Sequence, residues 1–574
     1  MHRFEVWAPY AESLHVRISG QDYPLQLGDR GWWRGDVDEA GPGTDYFVVV
    51  NGRPVPDPRS AWQPFGVHGP SRIVDHRTFR WSDQHWQAKP LASGILYELH
   101  IGTFTPAGTF LQAIEKLDYL VDLGVTHVEL MPVNEFSGDW GWGYDGVDLY
   151  APHHAYGTPE DLKQLVNACH AKGLAVLLDV VYNHLGPIGN YLNQFGPYFT
   201  EAYHTPWGPA VNFDHAGSSE VRRFFIDNAL MWLRDYHFDG LRLDAIHAIV
   251  DRSALHFLEA LSTEVEVLGS TLGKHFVLIA ESDLNDPRVV TSREAHGFGI
   301  HAQWSDDFHH ALHAVLTGER NGYYEDFGSY AQLAKALKQA YVYDGIYSKY
   351  RDRLHGRPPV GLSGHRFLAY AQTHDQVGNR ARGERLAHLV SPGRLKIAAA
   401  LVLTSPFIPM LFQGEEFGAS SPFQYFTDHD DPEIGRLVSE GRRNEFAAFG
   451  WNPEQIPDPQ NPATFERSKL RWEELSCEPH VSLLAWYKQL IALRRSSRAL
   501  TDGRLDRVQT TYDERAQWFV MRRENIEVIC NFAPDRQAIP IFAKPANVLC
   551  SAPEWQLRPG LIELPGESVA ICIT

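Results

Sequence analysis

Cysteine is scarce and scattered in this chain. Cys169, Cys477, Cys530, Cys550 and Cys572 are odd in number and never spaced as CxxC, which speaks against a disulfide framework and a zinc ribbon and suits a reducing, cytoplasmic compartment. Positive charge is also short. Lys and Arg number 52 against 71 Asp and Glu, for a net charge of −19, whereas a face that grips nucleic acid or an acidic membrane needs clustered cations. Long apolar runs are missing too: the segment from Ala398 to Phe412 is broken by Ser405, Pro406 and Pro409, and the stretch Met1 to Trp7 lacks the charged-then-apolar pattern of a signal peptide. No membrane and no nucleic acid are expected, and a neutral partner fits best.

Aromatic residues are abundant, with 16 tryptophans. Most belong to core packing, and some have the flat apolar faces that stack on sugar rings. Residues 1–88 carry short alternating runs such as Leu14 to Ile18 between Gly and Pro turns, which predicts an N-terminal β-sandwich. Its adjacent Trp32 and Trp33 point to opposite faces of a strand, one in and one out. Residues 89–498 alternate apolar strands with amphipathic helical stretches. Eight strands are predicted, at 95–99, 127–131, 175–180, 240–243, 276–279, 300–303, 367–372 and 408–412, which is the pattern of a (β/α)8 TIM barrel in an α/β fold. Residues 499–574 return to alternation and predict a C-terminal β domain.

The stretch Asp239 to His247 sets an arginine and an aspartate two apart in an apolar run. On a strand Arg242 and Asp244 share a face, so the cation holds the carboxylate ionised. Other strand ends also carry polar residues: Asp179, Asn183 and His184; Glu281; His374 and Asp375; Glu415 and Glu416. Each alone is explained by packing or solvation. Together they fall on the C-terminal rim, where barrels of this kind keep their chemistry. Three carboxylates, Asp244, Glu281 and Asp375, suit glycosidic-bond cleavage, in which one acid stays ionised to attack and another holds a proton. Arg242 favours the first state at Asp244; an apolar strand and a facing carboxylate favour the second at Glu281.

These residues resemble the α-amylase family of glycoside hydrolases. The resemblance is carried by four stretches in order, Asp179 to His184, Gly240 to His247, Ile279 to Ser282 and Gln372 to Asn379. It implies Asp244 as nucleophile, Glu281 as acid/base, Asp375 as transition-state stabiliser, and Arg242, His184 and His374 around the cleaved bond. It also implies Tyr144 stacked beneath the sugar, with retention of configuration. His247, Trp207 and Glu416 are further substrate-binding candidates by position, as are Trp140, Trp142, Tyr425 and Glu415. Thr373 stands where the family often has Asn, and strand alternation would turn it away from Asp375's neighbours. No cofactor is implied. Some relatives bind calcium through the residue at Asn183, but no surrounding cluster of carboxylates asks for a metal here.

Within the family, the stretches Tyr97 to Phe104, Gly141 to Val147, Trp304 to His313, Phe423 to His429 and Glu440 to Phe446 are similar to those of members that act on maltooligosyltrehalose. Those members cut the α-1,4 bond next to its terminal trehalose, and a maltooligosyltrehalose synthase is the implied pathway partner. A glycogen branching enzyme is the alternative, since it shares the acids but passes the sugar to a 6-hydroxyl. A non-catalytic, amylase-like glucan-binding protein is the alternative of another class.

Overall fold

The computed structural model describes residues 1–447 and 452–574. Eight parallel strands close into a barrel: β1 (Leu96–Leu99), β2 (His127–Leu130), β3 (Ala175–Val180), β4 (Gly240–Leu243), β5 (Val277–Ala280), β6 (Ala302–Trp304), β7 (Phe367–Ala369) and β8 (Ile408–Phe412), with β8 pairing back to β1. Every residue of these strands is buried. That is why they read as continuous apolar runs rather than alternating ones. The predicted strands all form, with β7 stopping at Ala369 instead of residue 372.

Alternation sorts the barrel's side chains into an inner and an outer set. Leu96, Leu177, Ile279, Trp304, Tyr370 and Met410 pack together inside. Glu98, Asp179 and Arg242, each two residues beyond an inward position, extend this inner set toward the rim. The paired registers place Glu129 beside Glu98 and Asp179 beside Arg242. Polar residues thus form one layer above an apolar plug.

Helices α1 (Pro159–Ala171), α2 (Ser218–Asp235), α3 (Phe257–Leu272), α4 (Asp306–Thr317), α5 (Pro392–Thr404) and α6 (His480–Ser496) contribute to the outer shell. The start of α1 is fixed by a capping box: the Thr158 side chain accepts from the Asp161 amide while Asp161 reaches back to the Thr158 amide, and Pro159 fills the first turn. Between β2 and α1 the chain makes a small antiparallel pair, Asn134–Glu135 against Asp148–Pro152, that the sequence did not predict.

The N-terminal strands form two sheets, His2–Trp7 with Trp32–Val37 and Gln26–Leu27, and Gln21–Pro24 with Leu14–Ile18, Asp45–Val50 and Arg53–Val55. Trp33 is buried and donates to the Ala8 carbonyl at 3.1 Å. Trp32 lies on the other face and donates to Glu220 of α2 at 3.1 Å. Trp32 therefore anchors the N-terminal sheets to the barrel, while Trp33 belongs to their own core. At the other end of the chain, a five-stranded and a three-stranded sheet lie beyond residue 507. Arg394 of α5 ties them to the barrel through Glu567 at 2.7 Å.

Candidate active site

One guanidinium organises the rim. Arg242 is wholly buried, its Cζ 4.2 Å from the centroid of the Trp304 ring, a face that attracts a cation. Its Nη1 donates to Asp179 at 2.7 Å and to Asp244 Oδ1 at 2.8 Å, and its Nη2 lies 3.2 Å from Glu281 Oε2. Removing one partner of such a buried set costs about 3–5 kcal/mol, because the remaining charge is left uncompensated. Asn183 donates to the other Asp244 oxygen at 2.7 Å and to the Asp244 carbonyl at 2.9 Å. Asn183 thus orients Asp244 through its side-chain nitrogen.

The two acids at β4 and β5 titrate in opposite directions. Burial would raise the Asp244 pKa, but Arg242, His184 and Asn183 outweigh it and bring the carboxyl below its ordinary range. Burial, followed by the charges of Asp244, Asp375 and Asp306, pushes Glu281 well above its ordinary value against the pull of Arg242. These surroundings favour an ionised Asp244 and a protonated Glu281 on either side of one guanidinium, the division of labour that acid-assisted glycoside cleavage requires. Asp179, at the end of β3, rises to about 6 through burial, held down by Arg242.

A second chain of contacts runs from β1 to the loop after β7. His374 Nδ1 contacts Glu98 of the inner layer, and its Nε2 meets the Tyr144 hydroxyl at 2.7 Å. That hydroxyl donates to Asp179 at 2.7 Å, so His374 must donate through both nitrogens, as an imidazolium does. Burial lowers its pKa, but Asp375 and Glu98 carry it up to about 9. The Tyr144 ring lies over His374 at 5.1 Å, and Trp142 meets both edge-on. Asp375 is one-third exposed, so its carboxylate faces the open side of the site.

Thr373 does not point away from Asp375's neighbours: its hydroxyl contacts the Gln376 side chain. The chain has already left the strand, and Thr373 caps the helical turn His374–Gly378 with its hydroxyl accepting from the Asp375 amide at 3.2 Å. Strand alternation is the wrong rule at that position. Trp207 sits at the tip of the hairpin Phe199–Thr205 with Gly208–Val211, half exposed, and stacks on His184 at 4.4 Å with ring planes 6° apart. His247 is exposed on the turn Ile246–Ala248 just beyond Asp244. Among the loop aromatics, Tyr425 packs edge-on against Trp142 at 5.2 Å, whereas Trp140 lies against Phe465 at 5.9 Å.

Glu415 and Glu416 need correction as rim residues. Both are buried: Glu416 accepts from Tyr97, at 3.1 Å, and from Tyr119, and Glu415 from Tyr487 of α6 at 3.0 Å. Tyr97 alternates with the inward Glu98, so these glutamates lie between barrel and helices, on the far side of the wall from the acids. Burial raises them to about 8 and about 7 respectively.

The sequence reading missed Glu98, Glu129 and Asp306. Glu129 is buried with both oxygens unpartnered, and burial with the nearby Glu98 drives its pKa well up. Asp306, at the first turn of α4, accepts from Tyr370 at 2.6 Å and rises to about 7 chiefly through burial. Glu98 and Glu129 each interrupt an apolar strand, the same signal that drew attention to Arg242.

A closed parallel barrel with these acids at its rim defines a glycosidase of the alpha-amylase class. The family described as alpha amylase, catalytic domain, matches residues 77–204, and a domain of unknown function, DUF3459, matches residues 503–571. A malto-oligosyltrehalose trehalohydrolase of Arthrobacter ramosus is 50% identical over 94% of this chain and 94% of its own length. The protein of that name from Rhizobium sp. (strain M-11) is 46% identical over 99% of this chain and 97% of its own. A crystal structure of an alpha-amylase candidate from Salmonella typhimurium superimposes with a TM-score of 0.91 at 38% identity, covering 100% of this chain and 97% of that one. The chain belongs to the malto-oligosyltrehalose trehalohydrolase family.

Proposed function

We propose that the protein cuts the α-1,4 bond joining a maltooligosyl chain to its terminal trehalose, releasing trehalose with retention at the cleaved carbon. The observation that carries the chemistry is that Arg242 lies 2.8 Å from Asp244 and 3.2 Å from Glu281, an arrangement that favours the ionised form of the first while burial favours the protonated form of the second. Glu281 gives its proton to the leaving oxygen while Asp244 attacks to form a glycosyl ester. The now ionised Glu281 then takes a proton from water, which opens the ester and restores both acids. Asp375 holds hydroxyls beside the reacting carbon. Arg242 keeps Asp244 ionised throughout, Tyr144 supports the sugar ring from below, and His184 with His374 flanks it. Trp207 and His247 border the same opening.

The substrate calls for an upstream enzyme that converts the reducing end of a glucan into trehalose, and we assign that step to a maltooligosyltrehalose synthase in the same cytoplasm. Chromatography of products from maltooligosyltrehalose and from plain maltooligosaccharide tests the reading. Free trehalose from the first and slow cleavage of the second is the expected result. Equal cleavage of both makes the protein a general amylase. New α-1,6 linkages from amylose, without trehalose, make it a branching enzyme.

A further inference from the structure

The small antiparallel pair beyond β2 brings together three side chains with no part in the site above. Glu135 ends its first strand, and His153 and His154 follow its second strand directly. The side chains of Glu135 and His153 are wholly buried and that of His154 is 23% exposed. Glu135 Oε1 lies 2.8 Å from His154 Nδ1, and Oε2 lies 3.4 Å from His153 Nδ1. One ligand atom from each residue falls within 4.8 Å of the others.

The far nitrogens of both rings turn toward Asp139. His153 Nε2 meets the Asp139 carbonyl at 3.4 Å, and His154 Nε2 meets its carboxylate at 3.4 Å. A carbonyl can only accept, so His153 donates through Nε2, and in the neutral ring this leaves a bare lone pair on Nδ1. That Nδ1 has no hydrogen-bond partner although it is buried. It faces the Glu135 carboxylate, which also offers only lone pairs. A buried nitrogen left in that state costs on the order of 1–3 kcal/mol, and a cation between the two groups removes the conflict.

We propose that Glu135, His153 and His154 bind one divalent ion of the zinc class, with water completing a tetrahedron. Two imidazole nitrogens and one carboxylate match zinc, whereas calcium and magnesium take oxygens. Ligands bound tetrahedrally at the usual zinc distances lie about 3.3 Å apart, between the two separations observed. Asp139 holds both rings by their outer nitrogens, the support that metal-bound histidines ordinarily have. The ion would tie together the two ends of the loop that carries Trp142 and Tyr144, so its role is to brace the wall of the active site rather than to react.

The test uses the full chain, stripped with a chelator and re-equilibrated with zinc. Metal analysis should find one zinc per chain, anomalous diffraction at the zinc edge should place it at these residues, and stripping should lower the melting temperature. His154→Gln, changed at a partly exposed position, should lose the zinc, and Asp139→Asn, at the surface, should weaken it by about 10- to 100-fold. Failure of the stripped protein to take up zinc overturns the proposal, leaving a proton-bridged ion pair. Equal retention by wild type and His154→Gln also overturns it, because the metal then sits elsewhere among the 28 histidines.

Discussion

The backbone amide of Ala245 donates to Glu281 Oε2 at 2.6 Å. Ala245 achieves this by adopting φ +37°, a left-handed conformation that costs a non-glycine residue of order 1 kcal/mol or more. The strain falls on the residue next to Asp244, so one local distortion aims the two acids relative to each other. A Gly at this position would relieve the strain but also loosen that link.

Asp244→Asn should abolish turnover and Glu281→Gln should cut it severely, both leaving the fold in place. The loss expected for Glu281→Gln alone is about 10²- to 10⁴-fold in kcat, the usual contribution of a positioned acid. Steady-state kinetics paired with circular dichroism checks this. Near-native rates in either variant would overturn the assigned roles.

The rate should follow a bell in pH. Asp244 must be ionised, and its pKa lies below the ordinary range, so activity falls only at distinctly acid pH. Glu281 must be protonated, and its pKa is raised, so activity falls as pH climbs through that raised value. Asp306→Asn removes one of the charges that raise Glu281 and should shift the alkaline limb of kcat/KM to lower pH. An unmoved limb would show that Asp306 has no electrostatic hold on the acid.

Trp207→Ala should raise KM, by an amount equivalent to the roughly 0.5–1.5 kcal/mol of an aromatic stack. Glu416→Gln should leave KM unaltered, because Glu416 is sealed between Tyr97 and Tyr119. Measuring both on one oligosaccharide separates rim residues from wall residues. A raised KM in Glu416→Gln would contradict its placement.

Gly378→Ala should damage the site from behind. An added Cβ would come within 2.1 Å of Trp142 Cζ2, so the indole must move, at a cost of about 1–3 kcal/mol for overpacking. Trp142 packs on Tyr144 and His374, so kcat/KM should fall although no acid has changed. Unaltered kinetics would mean that the indole is not needed to hold Tyr144.

The barrel was legible because strands buried on both faces leave unbroken apolar runs, and the acids because charge inside such runs is conspicuous. The face on which a residue lies beyond a strand end was not. Glu281 follows β5 directly, whereas Glu415 and Glu416 come three and four residues after β8, where the turn has carried them to the outside of the wall. Thr373 was misjudged for a related reason: once the chain leaves the strand, its side chains follow helical capping instead of alternation. The cluster of Glu135, His153 and His154 escaped notice because a pairing of short strands, not a sequence spacing, assembles it.

Arg242 has no exposed surface, and Asp179 beside it is tied through the Tyr144 hydroxyl to His374. Dissolved ions screen charges at the molecular boundary over about 8–10 Å of solvent, but screen buried pairs much less. A sugar enters and leaves without net charge, and each turnover returns Glu281's proton. Raising the ionic strength of the surrounding solution thus changes little at the atoms that react.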